Sequence, residues 1–283
     1  MKNRWVWALA AGGGLLAVTA LLLRAPGAPA TTLPEAARAA LPSPMPSPPP
    51  RPTVAVAAQP TALAPATMPP ELKAVPTGLA LSRPIRYAAI GASDTVGIGT
   101  ADPARQNWTA QVAAQLPPDT VYERFARSGI TLYEALDVEV PAAVTFKPNL
   151  VTVWLVVNDA LRAVPLSVYQ KELASLLDTL TSQTDAQVVL LNAPDISTLV
   201  APDASEQTRI QMRSIAGAWN QAIAATAAPY GRRVLIVDLF AESQQAVAHP
   251  DWLSPDGFHP SATGYQEIAT ATVAALRQAG WVP

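Results

Sequence analysis

Apolar and polar residues alternate in blocks along the C-terminal two thirds of the chain, and the spacing within each block predicts its element. Four runs are apolar at successive positions: IRYAAIG (85–91), LVTVWLVV (150–157), QVVLLNAP (187–194) and RRVLIVDLF (232–240). Such runs suit strands covered on both faces, which implies a parallel sheet. VYERFA (121–126) is a weaker strand candidate. Helical spacing fills the intervals. Trp108, Val112 and Leu116 recur at four-residue steps, and Leu173, Leu176, Leu177 and Leu180 make a stripe behind a capping box expected at Ser167 and Gln170. Ile210, Ile215, Trp219 and Ile223 mark a further helix; Tyr265, Ile268, Ala269, Val273 and Leu276 mark the last. This alternation predicts an α/β fold, a doubly wound three-layer α/β/α sandwich on a parallel sheet of about five strands. In that class, chemical groups gather on loops at the carboxyl ends of strands. Ser93, Gly129, Asn158 and His259 all fall in predicted loops, the first three after predicted strands.

The N-terminal third has a different pattern. Lys2 and Arg4 precede an uncharged run, WVWALAAGGGLLAVTALLL, that ends at Arg24. A cleaved signal usually has an apolar core of roughly 7–15 residues, whereas roughly 18 or more can span a bilayer. Ala28-Pro29-Ala30 nevertheless offers a small-x-small cleavage pattern. Residues 1–30 are therefore expected to be a signal-anchor helix or a signal peptide, a buried soluble helix being the alternative. Either targeting reading sends the rest of the chain outward, because the positive charges lie mainly before the run. Residues 31–82 are dense in Pro, Ala and Thr and lack a periodic apolar face, so a disordered, partly polyproline-II tether is expected. At ~3.1 Å per residue it reaches on the order of 150 Å. A folded unit over 83–283 comes next, expected outside the cytoplasm, either secreted or membrane-anchored.

Charge and composition then narrow the chemistry. Net charge is −2 and only 14% of residues are charged, which leaves no basic reservoir for a nucleic-acid backbone. Cysteine is absent, which excludes disulfides, thiolate metal sites and cysteine nucleophiles.

The stretch RYAAIGASDTVGIGT (86–100) places Ser93 in a glycine-flanked turn after the first strand. It lacks the Gly-Lys-Ser/Thr of a phosphate-binding loop, the third glycine of a dinucleotide fingerprint and the Gly-x-Ser-x-Gly of a nucleophile elbow. Ser93 is thus either a nucleophile without that elbow or a polar turn residue. DWLSPDGFHPSATGYQEIA, near the C-terminus, bears on the choice. The chain has two histidines, His249 and His259, and His259 stands three residues after Asp256 with Gly257 between them. A carboxylate on such a turn can reach Nδ1 and leave Nε2 free to accept a proton, while Pro260 holds His259 extended. Alternatively Asp256 caps the turn and His259 packs on the last helix. Gly129, in ARSGIT, lets its N–H approach a ligand closely, and Asn158, in LVVNDAL, ends the most apolar strand with an amide.

The order Ser, Gly, Asn, Asp-x-x-His resembles the SGNH hydrolases, also called the GDSL esterase/lipase family, over essentially all of 85–283. The matching blocks are Gly91-Ala92-Ser93 with Gly97, Ser128-Gly129-Ile130-Thr131, Val156-Val157-Asn158-Asp159, and Asp256-Gly257-Phe258-His259-Pro260. The resemblance implies a flavodoxin-like fold and a serine esterase acting as a monomer without cofactor or metal. It implies Ser93 as nucleophile, His259 as general base and acid, and Asp256 as its orienting carboxylate, with Ser93, Gly129 and Asn158 receiving the oxyanion. The substrate class implied is an O-acyl ester of a carbohydrate or lipid, small or borne on a polymer. A catalytically inactive relative that binds glycan or envelope polymer in the same cleft is the alternative. The chain departs from the family pattern at Ala92, where Asp is usual, at Asp94, where an apolar residue is usual, and at Arg124, Ala126 and Val156. Asp94 either raises the histidine pKa or caps the following turn. Arg127 beside the glycine loop either favours an anionic substrate or is a solvated surface residue.

Overall fold

The computed structural model describes residues 7–9, 18–20, 80–198 and 204–283. Trp7–Leu9 and Val18–Ala20 form two short antiparallel strands. Otherwise the expected targeting segment (1–30) and tether (31–82) lie outside the described residues, save for the last three tether positions. Among the described residues, no helix is long and apolar enough to cross a membrane.

The most apolar run becomes the centre of the main sheet. We label its strands β1 (Arg86–Gly91), β2 (Val121–Ala126), β3 (Leu150–Trp154), β4 (Gln187–Leu191) and β5 (Val234–Val237). They pair in parallel in the order β2-β1-β3-β4-β5. Every residue of β3 and β4 is buried, as strands covered on both faces require. Strands are shorter than the apolar runs that predict them. Leu155 and Val156 are buried but leave the ladder, and Val157 opens a short helix to Leu161. Apolar character reports burial, and burial continues past the last ladder hydrogen bond.

Among the described residues, five helices have eight residues or more: α1 (Trp108–Gln115), α2 (Leu132–Phe146), α3 (Leu166–Gln183), α4 (Glu206–Ala227) and α5 (Ala262–Gln278). α2, α3 and α4 pack side by side in one layer, and α1 packs on α5 in the other. The expected capping box at Ser167 is not formed. Pro165 precedes the first helical residue, its carbonyl accepts from Val168 and Tyr169, and Ser167 lies inside the helix. A capping box instead opens α2, where the Thr131 hydroxyl and the Glu134 carboxylate each take the other's N–H. Ile210, expected on the core face of α4, is half exposed; Trp219 and Ile223 carry that face.

Sheet register decides where the loops come out. Gly91 pairs with Ala126 on one side and Trp154 on the other, so β1, β2 and β3 end level. The three segments after them emerge together where strand order reverses, the position at which doubly wound sheets bind ligands.

Candidate active site

Ser93 enters a helical turn directly from β1. The Ala92 carbonyl accepts from the N–H groups of Thr95 (3.0 Å) and Val96 (2.9 Å), closing the turn Ser93–Val96. Ser93 therefore starts a short helix where a loop was expected. Its own N–H is one of the first-turn donors that no intrahelical carbonyl can take. The side chain is 7% exposed, and its hydroxyl makes no hydrogen bond among the described residues. Arg124 braces this turn from β2: its Nη1 donates to the carbonyls of Thr95 (3.3 Å), Val96 (3.0 Å) and Pro103 (3.1 Å).

The segment after β2 bends back toward the same end. Arg127 N–H donates to Gly91 O (3.2 Å), extending the ladder by one bond, and the chain turns through Gly129 at φ +77°. That left-handed conformation is one a side chain would strain. Arg162 Nη2 donates to Gly129 O (2.7 Å), and Asn158 Nδ2 donates to Ile130 O (2.8 Å). Asn158 thereby commits one amide hydrogen to holding the glycine loop and keeps a second for a ligand. Asn158 too lies in a short helix, Val157–Leu161, and its neighbour Asp159 accepts from Leu132 N–H (2.9 Å) at the start of α2.

The C-terminal loop is built around Asp256. Its Oδ1 accepts from the N–H groups of Phe258 (2.8 Å) and His259 (2.9 Å), and its Oδ2 lies 2.7 Å from His259 Nδ1. Ser254 N–H donates to His259 O (2.9 Å), closing the loop's base. Partial burial pushes the Asp256 carboxyl up, but hydrogen bonds from the His259 ring, both backbone N–H groups and Ser254 outweigh it and hold the pKa at about 2. Asp256 thus orients the imidazole as an anion throughout the neutral range. His249, by contrast, stacks on Trp252 at 4.6 Å and takes no part in this loop.

These loops converge. Tyr265, buried at the start of α5, donates to Ile98 O (2.8 Å), tying the helix after His259 to the segment after Ser93. Gly99 packs so tightly there that a Cβ would lie 2.6 Å from Pro260 O. Ala92 and Asp94, on either side of Ser93, line one small pocket with the segment Trp154–Asn158. Asp94 does not cap its turn. Burial pushes its carboxyl up to about 6 against the attraction of His259, with Asp256 adding to the rise. Arg127 is exposed beside the glycine loop. In the sequence Arg124 stands out only as a departure from the family pattern and Arg162 not at all, because each acts on carbonyls 21 to 33 residues away. Among the described residues, no cluster of His, Asp and Glu could hold a metal ion.

Comparison with known proteins places the chain in a family and its fold among solved structures. Residues 89–267 match the family described as GDSL-like Lipase/Acylhydrolase. No curated protein matches the chain. Among solved structures, an acetylxylan esterase, Axe2, from Geobacillus stearothermophilus is 21% identical, with 71% of this chain and 96% of that one aligned at a TM-score of 0.56. A phospholipase A1 from Streptomyces albidoflavus NA297 is 19% identical over 67% of this chain and 98% of its own, at 0.55. A structure of a protein named TesA is 23% identical over 69% and 99%, also at 0.55.

Proposed function

Since the chain belongs to the GDSL-like lipase/acylhydrolase family and is a carboxylic ester hydrolase, we propose that it cleaves its ester by a serine mechanism centred on Ser93. In this reading Ser93 Oγ attacks the ester carbonyl and His259 Nε2 takes its proton. Asp256 holds the ring and stabilises the imidazolium. The oxyanion is received by the unused N–H groups of Ser93 and Gly129 and by the second amide hydrogen of Asn158. Collapse expels the alcohol, protonated by His259. Water, activated by the same imidazole, then releases the acid and restores Ser93. The observation that carries the reading is the Asp256 carboxylate, pinned by two backbone N–H groups and 2.7 Å from His259 Nδ1.

The substrate we propose is an O-acyl ester of a carbohydrate or lipid outside the cytoplasmic membrane. The apolar N-terminal run and the proline-rich segment support that location. Similarly folded proteins named acetylxylan esterase and phospholipase A1 represent both substrate classes. A fluorophosphonate probe tests the mechanism: mass spectrometry of the labelled full chain should find the adduct on Ser93, with labelling strongly slowed in His259→Ala. Labelling at another serine contradicts the assignment, and an unlabelled folded chain points to a glycan-binding relative without catalysis.

A further inference from the structure

The serine mechanism makes no use of Glu139, and the position of this residue is hard to explain as packing. It sits on α2, facing the sheet, at 2% exposure. Neither carboxyl oxygen has a hydrogen-bond partner of regular geometry, so the cost of desolvating the group is at most partly compensated. Its surroundings are specific. The main-chain N–H groups of Gly91 and Arg127 lie close enough to favour its charge, and the one charged side chain that acts on it is Arg127. Gly91 is two residues before Ser93, and Arg127 is two residues before Gly129. These same two residues are joined by the Arg127 N–H to Gly91 O bond at 3.2 Å. One buried carboxyl therefore lies beneath the joint between the nucleophile turn and the glycine loop.

We propose that Glu139 is a positioning residue: as a neutral acid it keeps the Ser93 turn and the Gly129 loop in register, and its ionisation disrupts that register and switches catalysis off. The inference rests on the roles proposed for Ser93 and Gly129. Burial dominates the group's titration and pushes it up to about 8, against the pull of the two N–H groups and Arg127. The neutral acid is then the working form at pH 7, and ionisation falls within reach of an ordinary assay. A charge formed there has one exposed arginine as its charged side-chain partner, and small misplacements of reacting groups cost catalysis on the order of 10²-fold per ångström.

The test uses the full chain and its Ser93→Ala, Glu139→Gln and Glu139→Leu variants, with p-nitrophenyl acetate hydrolysis followed from pH 6 to 9 and the uncatalysed rate subtracted. Wild-type kcat should fall about 10-fold between pH 7 and pH 9 at constant KM, as expected for one ionisation near 8. Glu139→Gln, which cannot ionise, should keep its pH 7 kcat across the range. Glu139→Leu should lose kcat at every pH. Parallel decline of wild type and Glu139→Gln overturns the proposal, as does a folded Glu139→Gln chain as inactive as Ser93→Ala at pH 7. A second readout does not depend on turnover. With a folded pKa of about 8 against an ordinary 4.5, the folded state holds the proton more tightly. Stability from this group is therefore full below 4.5 and lost as pH rises towards 8. In the Ser93→Ala background, Glu139→Gln should raise the urea midpoint at pH 9 and change it little at pH 4. An unchanged midpoint at pH 9 overturns the buried ionisation itself. Wild-type rates from Ser93→Ala would instead remove the nucleophile assignment, leaving the stability result to stand on its own.

Discussion

Asp256 and Asp94 flank one imidazole yet titrate in opposite directions. Asp256 is hydrogen-bonded and held at about 2; Asp94 is desolvated beside Ser93 and pushed up to about 6. Their linkage to stability differs in sign. Asp256 stabilises the fold above its ordinary value of 3.8, and this is lost as pH falls through 2. Asp94 contributes least above 6, where burying its charge costs most. Urea denaturation should therefore find Asp256→Asn destabilised at pH 6, with the gap to wild type closing towards pH 2. Asp94→Asn should gain stability at pH 8 and differ little at pH 3. Steady-state kinetics should show Asn158→Ala losing on the order of 10²-fold in kcat, the cost of about 3 kcal/mol for one oxyanion donor. The candidate residues themselves are legible in the sequence. Asp256 and His259 are local partners on one turn, while Ser93, Gly129 and Asn158 each follow an apolar run. The roles of Glu139 and Arg124 are not legible, since each acts across the sheet register on main-chain groups that no sequence spacing reveals.

Elements deliver these residues through their ends. β1, β2 and β3 finish level, and Arg124, at the fourth position of β2, reaches across to hold the carbonyls that close the Ser93 turn. Arg124→Met keeps the side-chain volume but removes the donors. It should lower kcat about 10-fold with little change in KM, as expected when a nucleophile loses its alignment and binding surface is kept. Equal kcat values would make the arginine a packing residue only. The strands are readable from their apolar runs, but their ends are not, because burial persists through Leu155 and Val156 after the ladder stops. α2 is not among the helices read from the apolar spacing. It contains Pro141, and its buried face carries the carboxyl of Glu139 among Leu132, Ala135, Val140 and Ala143. Its start is nevertheless written in Thr131 and Glu134. The box expected at Ser167 fails because that helix already begins at Leu166, directly after Pro165.

At the scale of the whole molecule, a hydrolase domain follows an apolar run and a long proline-rich segment in one chain. We propose that these hold the domain outside the cytoplasmic membrane. A phosphatase reporter fused after Pro283 should then be active and should sediment with membranes if the anchor is retained. A reporter that is inactive while the fusion is stably produced contradicts the location. The α/β/α architecture is readable because strand and helix patterns alternate from 85 to the C-terminus. The strand order is not, since the four apolar runs look alike and only pairing decides that β1 lies between β2 and β3. That order sets the reversal point at which the segments carrying Ser93, Gly129 and Asn158 meet. The nucleophilic role of Ser93 is tested most directly by the kcat of the full chain and of Ser93→Ala on p-nitrophenyl acetate at pH 7. A loss on the order of 10⁴-fold or more is predicted; a folded Ser93→Ala chain within 10-fold of wild type would contradict it.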